Sequence, residues 1–147
     1  MDLLPAAAFR RTDAERADQR LAWARADRAF FAAGACHVLA WACRRLHPGR
    51  GVGLIGLRRP GAAEVSHVVA TRDGWALDHS GWHPASEVVR VNQEADGPLD
   101  VVVLDPDLAR FCREHRHRPP PDFAHDPWPR ARCYVRRFDP PWASGSG

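Results

Sequence analysis

Hydrophobic and polar positions follow a helical pattern near the start of the chain. Residues 13–31 contain neither glycine nor proline, and Thr12 and Glu15 have the spacing of a capping box, so a helix is predicted there. Gly34 ends this run, and a second helix is predicted over residues 35–46. The apolar stripe of the second helix consists of Cys36, Leu39, Ala40, Cys43 and Leu46.

Beyond residue 50 the pattern changes to short β-like runs that are separated by turn residues. Strands are predicted at 51–57, 65–71, 74–78 and 100–104. The last of these, DVVVL, has the continuous apolar pattern of a fully buried strand.

The remaining segments are predicted as helices, loops and one further strand. Asp105-Pro106-Asp107 favours the start of a helix, because Asp105 supplies an N-cap oxygen and Pro106 a first helical residue. A short helix or a turn is predicted at 84–91, a proline-rich loop at 117–129 and an edge strand at 130–138.

The order of these elements predicts the fold class. Helices that precede a run of mostly hairpin-connected strands are typical of the α+β class with an antiparallel sheet. We therefore predict N-terminal helices packed on a small antiparallel sheet, in a single domain over residues 1–138. Residues 139–147 are predicted to form a flexible tail.

Charge and composition argue against several partners. All 21 basic residues are arginine, and 18 acids leave a net charge of only +3. The densest arginine group, at 130–137, would lie on both faces of a strand, so no nucleic acid is expected. No segment approaches the roughly 18–20 apolar residues of a membrane span. The start, MDLLPAAAFRR, lacks the basic region of a secretory signal, so we expect a cytoplasmic bacterial protein.

The cysteines and histidines form no recognisable metal motif. The four cysteines include no CxxC pair and are expected to be reduced, with Cys43, Cys112 and Cys133 interpreted as core thiols. The stretch HRHRPPPDFAHDPWP at 115–129 predicts an exposed loop. No metal and no cofactor is predicted, and a site assembled from scattered Cys and His residues stays an alternative.

A β-hairpin brings a histidine and an acid together. Asp73-Gly74 is a two-residue turn signal, which sets Arg72 opposite Trp75 across the ladder. With that register His67 and Asp78 share one face as diagonal neighbours, at about 7–8 Å between backbones. An imidazole and a carboxylate at that separation can form a hydrogen bond, whereas a register shifted by one residue would separate them.

Cys36 is predicted to lie in the first turn of the second helix. Unpaired N–H groups and the helix dipole stabilise a thiolate there, and the same N–H groups can bind an oxyanion. Cys36, His67 and Asp78 therefore have the residue types of nucleophile, general base and orienting acid in acyl transfer.

This arrangement resembles the core of the papain-like superfamily, and within it the transglutaminase-like and NlpC/P60-like branches. The matching stretches are Gly34-Ala35-Cys36, VSHVVA around His67 and WALDHSG around Asp78, within residues 33–83. The resemblance implies a thiol hydrolase, deamidase or transamidase that acts on a protein or peptide. The chain departs from the pattern at Val68-Val69, where transglutaminase-like proteins usually have an aromatic residue, and it has no counterpart of the upstream oxyanion-hole glutamine.

Other interpretations of the same residues stay open. Cys36 could be a core thiol, His67 a strand histidine satisfied by a hydroxyl, and Asp78 the first residue of a turn. The fold could also serve as a non-catalytic binding module. The hypothesised wall of a substrate cleft consists of His37, Trp75, His79 and Trp82. His37 lies about 100° around the helix from Cys36 and is interpreted as a packing or cap residue, with the role of base as the alternative.

Overall fold

The computed structural model describes residues 1–143, which contain seven α-helices and a five-stranded antiparallel sheet. The helices are α1 Asp13–Ala17, α2 Gln19–Trp23, α3 Asp27–Ala32, α4 Cys36–Leu46, α5 Ala85–Asp96, α6 Leu108–His115 and α7 Trp128–Arg136. The strands are β1 Gly53–Arg58, β2 His67–Arg72, β3 Trp75–Asp78, β4 Gly81–Pro84 and β5 Asp100–Val103, in the sheet order β4-β3-β2-β1-β5. The predicted α+β class is confirmed.

The predicted β2–β3 hairpin forms with the predicted register. Arg72 pairs with Trp75, and the ladder continues to the pair of Ala70 and Leu77. Asp73 and Gly74 adopt positive φ angles of 50° and 81°, as a two-residue hairpin turn requires. This register carries the first residue of β2 and the last residue of β3 to one face of the sheet.

Helix α4 is the centre of the core. It packs against α7 and against strand β2, and every residue from Cys36 to Cys43 is buried. Trp41 is buried even though its indole is polar, because Nε1 donates a hydrogen bond to the carbonyl of Pro106 at 2.7 Å. The helix that begins with Cys36 is therefore fixed in place over its first two turns.

The N-terminal helical region is broken into three short helices, where one helix was predicted. The capping box of Thr12 and Glu15 is present at the start of α1. Asp18 then ends α1 with an extended backbone and accepts a hydrogen bond from the N–H of Arg20, so it caps α2. A side chain that bonds the backbone locally competes with helix continuation, and this explains the break.

The predicted edge strand at 130–138 is wrong, because the region forms helix α7. Its buried residues are Ala131, Tyr134 and Val135, which have the spacing of one helical face. Asp126 accepts a hydrogen bond from the N–H of Trp128 at the start of the helix. The arginines of this segment thus lie on a helix and not on two faces of a strand.

Strand β5 forms where it was predicted, but it is not buried. It pairs with β1 at the edge of the sheet, and the side chain of Val103 is 84% exposed. Asp107, not Asp105, caps α6 by accepting from the N–H of Arg110. Strand β4 was not predicted, and α5 is longer than the short helix or turn expected there.

The end of the chain was predicted as a flexible tail. Trp142 lies within that segment, and its ring contacts the rings of His47 and Trp82. Residues 144–147 lie outside the described residues. Among the helices of residues 1–143, none combines the length and the apolar character needed to cross a membrane.

Candidate active site

Cys36 is the first residue of α4, as the sequence predicts. Its side chain is buried, with 4% of the residue exposed. The N-cap residue, Ala35, has no side chain that could accept a hydrogen bond from the first turn. Gly34 precedes it with φ 105°, a conformation that residues with a side chain rarely adopt, and this turns the chain into the helix.

His67 and Asp78 face each other, as the hairpin register predicts. Nε2 of His67 lies 3.8 Å from Oδ2 of Asp78. The other carboxylate oxygen, Oδ1, accepts a hydrogen bond from the N–H of Ser80 at 2.7 Å. One oxygen of Asp78 thus closes the β3–β4 turn, and the other lies near the imidazole without a hydrogen bond to it.

Three imidazoles surround the Cys36 thiol. Burial by itself raises the pKa of the thiol, but contacts with His117, His37 and His67 outweigh burial and hold the pKa of Cys36 well below its ordinary value. A lowered pKa favours the thiolate, which is the nucleophilic form.

His67 and Asp78 have the complementary charges. Burial lowers the pKa of His67, but interactions with Asp78 and Cys36 outweigh burial and raise that pKa to about 10. Burial likewise opposes ionisation of Asp78, and yet the contact with His67 holds the pKa of Asp78 below its ordinary value. The directions of the three pKa shifts favour a thiolate, an imidazolium and a carboxylate at these buried groups.

His117 is the site residue that the sequence analysis placed wrongly, in an exposed loop. Arg116 ends α6 in the left-handed conformation with φ 54°, and the N–H of His117 donates to the carbonyl of Cys112. This turn directs His117 back towards α4, where Nε2 bonds the carbonyl of Val65 at 2.9 Å and the ring contacts Cys36. The only local sequence signal for this contact was the alternation of His115, the last residue of α6, and His117 just beyond it.

His37 also reaches the thiol, contrary to the interpretation that its side chain turns away from Cys36. Its Nε2 donates to the carbonyl of Arg118 at 2.7 Å, and Nδ1 makes no hydrogen bond within the described residues. Ligand atoms of His37, Cys36 and His117 lie within 4.8 Å of one another. The base assigned from the hairpin is thus one of three candidate bases around the sulfur.

The other predicted cleft residues do not line the Cys36 cleft, although Nδ1 of His79 lies 3.6 Å from Oδ2 of Asp78. His79 is fully buried, bonds the carbonyl of Leu4 through Nε2 at 2.9 Å and has a pKa lowered by burial. Trp75 is half-exposed on the hairpin, and Trp82 packs against Trp142. Like His37, these three are not among the residues that line the cleft.

The remaining cysteines lack such surroundings. Burial raises the pKa of Cys43 to about 12 and that of Cys112 to about 11, so both are protonated core thiols, as predicted. Cys133 is exposed, so the prediction that it is a core residue is wrong. It lies on the solvent side of α7, two positions after the buried Ala131.

An open cleft of about 370 Å³ gives access to Cys36 and His67. The N-terminal segment before α1 and the segment that follows α6 both contribute to its lining. Its charged lining residues include Arg10, Arg11, Arg59, Asp96, Arg116 and Arg118. The thiol and its histidine can therefore meet a small ligand or an extended chain.

No protein-family model, curated protein or solved structure matches this chain. The residues of the site are therefore the basis for its chemistry.

Proposed function

We propose that this protein is a cysteine-dependent acyl-transfer enzyme that acts on an amide, ester or thioester carbonyl. The observation that carries the proposal is the buried Cys36 thiol, whose pKa is well below its ordinary value, beside an imidazole that faces a carboxylate. Burial alone has the opposite effect, as the raised pKa of Cys43 demonstrates on the same helix. Such activated thiols are typical of nucleophilic sites.

The reaction follows from the positions of the groups. The Cys36 thiolate attacks the carbonyl carbon, a C–S bond forms, and the carbonyl π electrons move to the oxygen. N–H groups of the first turn of α4 stabilise that oxyanion. The intermediate then collapses, and the bond to the leaving group breaks as that group takes the proton of His67. Water or an amine attacks the thioester, gives its proton to His67 and releases the thiolate.

Asp78 is a positioning residue in this scheme. Its Oδ1 is fixed by the N–H of Ser80, and its Oδ2 faces Nε2 of His67. The opposite ring nitrogen, Nδ1, is then the one available to the sulfur and the leaving group. A carboxylate in this position holds the ring and stabilises its protonated form.

An activated ester tests the proposal. We expect p-nitrophenyl acetate to transfer its acetyl group to Cys36 and then to hydrolyse, because the thiolate is the strongest nucleophile in the chain. Mass spectrometry of peptides after a short reaction locates the acetyl group. Cys36→Ala should abolish acetylation and turnover, whereas the matched control Cys43→Ala should keep both. Equal acetylation of all four thiols, in a chain with four cysteines, would contradict the proposal.

A zinc site is the second candidate, and the surroundings of the three-residue cluster favour it. Cys36, His37 and His117 are ligand types that zinc prefers, and their ligand atoms are within 4.8 Å of one another. Nε2 of each histidine contacts a backbone carbonyl, of Arg118 and of Val65 respectively. Such carbonyls orient metal-bound histidines in many sites.

Zinc titration separates the two candidates. A structural site predicts stoichiometric zinc binding, a thiol that zinc protects from iodoacetamide, and loss of both effects in His117→Gln. Catalysis predicts that the zinc-free protein forms the acetyl-enzyme. Zinc that is needed for folding, with no acyl transfer by the metal-free chain, would favour the metal site.

A further inference from the structure

Arginines outnumber acids around the cleft that opens on Cys36. Five arginines and a single carboxylate, Asp96, line it. The whole chain has a net charge of only +3, so this excess of positive charge is local. A cleft lined by one sign of charge concentrates ligands of the opposite sign.

Three of these arginines already have acidic partners. Arg10 lies 2.5 Å and Arg59 3.9 Å from the same oxygen of Asp96. Arg116 lies 3.1 Å from Glu64. Arg10 and Arg59 share the one negative charge of Asp96, and Arg116 is matched by Glu64, so the protein itself balances two of these three positive charges.

Arg11 and Arg118 differ, because neither pairs with an acid among residues 1–143. Both are half-buried. Burial, and next the charge of Arg118, lower the pKa of Arg11 from its ordinary value. Two like charges in a half-buried cleft repel, and a bound anion relieves this repulsion.

Both guanidinium groups belong to segments that adjoin the thiol. Arg11 lies against Gly34, since a Cβ atom at Gly34 would be 3.1 Å from Nη1 of Arg11. Gly34 is two residues before Cys36. Arg118 directly follows His117, whose ring contacts the thiol, and its carbonyl accepts from His37. The two side chains thus both line the cleft that opens on the sulfur.

We propose that Arg11 and Arg118 bind an anionic group, carboxylate or phosphate, on the acyl donor that Cys36 attacks. This inference rests on the proposed function and specifies the substrate class of the same site. The planar guanidinium fork binds either oxyanion through paired hydrogen bonds. The cleft of about 370 Å³ suits a donor of roughly dipeptide size.

Two alkylating agents that differ in charge test the inference on the wild-type chain. Iodoacetate and iodoacetamide both transfer a two-carbon group to sulfur, and only iodoacetate is an anion. The ratio of the two rates at Cys36, divided by the same ratio at the exposed Cys133, measures preference for an anion. We expect this normalised ratio to be about tenfold above unity at low salt and to fall as salt is added.

Variants identify the arginines responsible. Arg11→Gln/Arg118→Gln should bring the normalised ratio close to unity, because both unpaired charges are gone, while the backbone carbonyl of residue 118 stays. Arg118→Lys keeps the charge and should keep most of the preference. Arg113→Gln, an exposed position of α6 outside the cleft, is the matched control and should leave the ratio unchanged. A ratio near unity in the wild-type chain, or one that the double variant does not alter, would overturn the inference.

A binding measurement distinguishes failure of this inference from failure of the proposed function. In Cys36→Ala protein no chemistry can occur, and we expect succinate or inorganic phosphate to shift NMR signals of the cleft. Adding Arg11→Gln/Arg118→Gln should abolish these shifts, and the tighter of the two ligands identifies the anion. Arginine-dependent binding by a chain whose Cys36 is inert would support the anion site and contradict the acyl-transfer enzyme. A reactive Cys36 with no anion binding would support the acyl-transfer enzyme and contradict the anion site.

Discussion

Helix α4 contains two buried cysteines, Cys36 in its first turn and Cys43 two turns further along, and the pKa values of their thiols shift in opposite directions. Cys36 is 4% exposed and Cys43 is fully buried. The pKa of Cys36 is well below its ordinary value, whereas the pKa of Cys43 is raised to about 12. Burial of the thiol therefore does not decide whether it is reactive.

The neighbours decide it. Burial is the only cause of the raised pKa at Cys43, which lies among apolar core residues. At Cys36 the same penalty is outweighed by three imidazoles that come from three different segments of the chain. The comparison shows that the site is made by the segments that surround the helix start, and not by the cysteine itself.

The largest expected effect is the difference in alkylation rate between the two thiols. A pKa of about 12 leaves roughly one Cys43 in 10⁵ ionised at pH 7, whereas a thiol whose pKa lies below its ordinary value has an ionised fraction at least about 10³-fold larger. We expect iodoacetamide to modify Cys36 at least about 10³-fold faster than Cys43 in the folded protein. Timed quenching and peptide mass spectrometry measure both rates. Comparable rates would remove the contrast on which the proposed function depends.

Loss of the His67 ring should have the next largest effect. In His67→Gln no base takes the proton of the water that attacks the acetyl-thioester, and the thiolate loses one of its stabilising contacts, so hydrolysis of p-nitrophenyl acetate should fall by about 10²–10⁴-fold. Asp78→Asn, which keeps the shape of the side chain, should cause a smaller loss. Steady-state turnover measures both variants. If His117→Gln proves far more damaging than His67→Gln, the base has been assigned to the wrong histidine.

The pH dependence of alkylation should separate Cys36 from an ordinary thiol by about 100-fold. The lowered pKa of Cys36 means that its thiolate persists as pH falls and is lost only below the ordinary range of a thiol. From pH 8 to pH 6 its rate should change little, whereas the rate of an ordinary thiol falls by about 100-fold. Ester turnover should decline as pH rises through about 10, where His67 loses its proton. Stopped-flow alkylation and turnover profiles give both limits, and a Cys36 rate that falls tenfold per pH unit from pH 8 would contradict the pKa assignment.

The smallest expected effect concerns stability alone. Cys43→Ala removes a sulfur atom from the core and leaves a small cavity, so the free energy of unfolding should fall by about 1–2 kcal/mol. The alkylation rate of Cys36 should not change, because Cys43 makes no contribution to its pKa. Urea unfolding and alkylation of the same sample test both statements. A slower Cys36 in this variant would show that the two turns are coupled.

Local signals were sufficient to predict the His67–Asp78 pair on the sheet. Asp73-Gly74 fixes the hairpin turn, the turn fixes the register, and the register places His67 beside Asp78. Gly34 similarly marks the start of α4, so that Cys36 could be placed in its first turn. In both cases the decisive interactions lie within a dozen residues, and sequence patterns report such interactions well.

The rest of the site depends on contacts between distant parts of the chain. His117 lies 81 positions beyond Cys36, and the turn at Arg116 uses a left-handed conformation without the glycine that usually marks one. Arg11 belongs to a segment that the sequence analysis weighed only as a possible signal peptide. Contacts between such distant segments come from tertiary packing, and the hydrophobic periodicity of a single segment does not predict them.

Two errors in the fold have the same origin. The run DVVVL has the composition of a buried strand. Whether a strand lies at the centre or the edge of a sheet depends on how many strands pair with it, and β5 pairs with β1 alone. In α7 the arginines Arg130, Arg132 and Arg136 obscured a helical face of only three buried residues. A short window cannot distinguish such a face from strand alternation.

The missing side-chain cap at Ala35 links ligand binding to folding. Helices normally gain about 1 kcal/mol from a capping side chain, and α4, the central helix of the core, starts without one. An anion or an acyl oxyanion that accepts hydrogen bonds from the first turn would act as the absent cap. A ligand in the cleft would therefore raise the free energy of unfolding of the whole molecule. The melting temperature should therefore rise with each ligand that binds there, which turns thermal stability into a screen for the natural substrate.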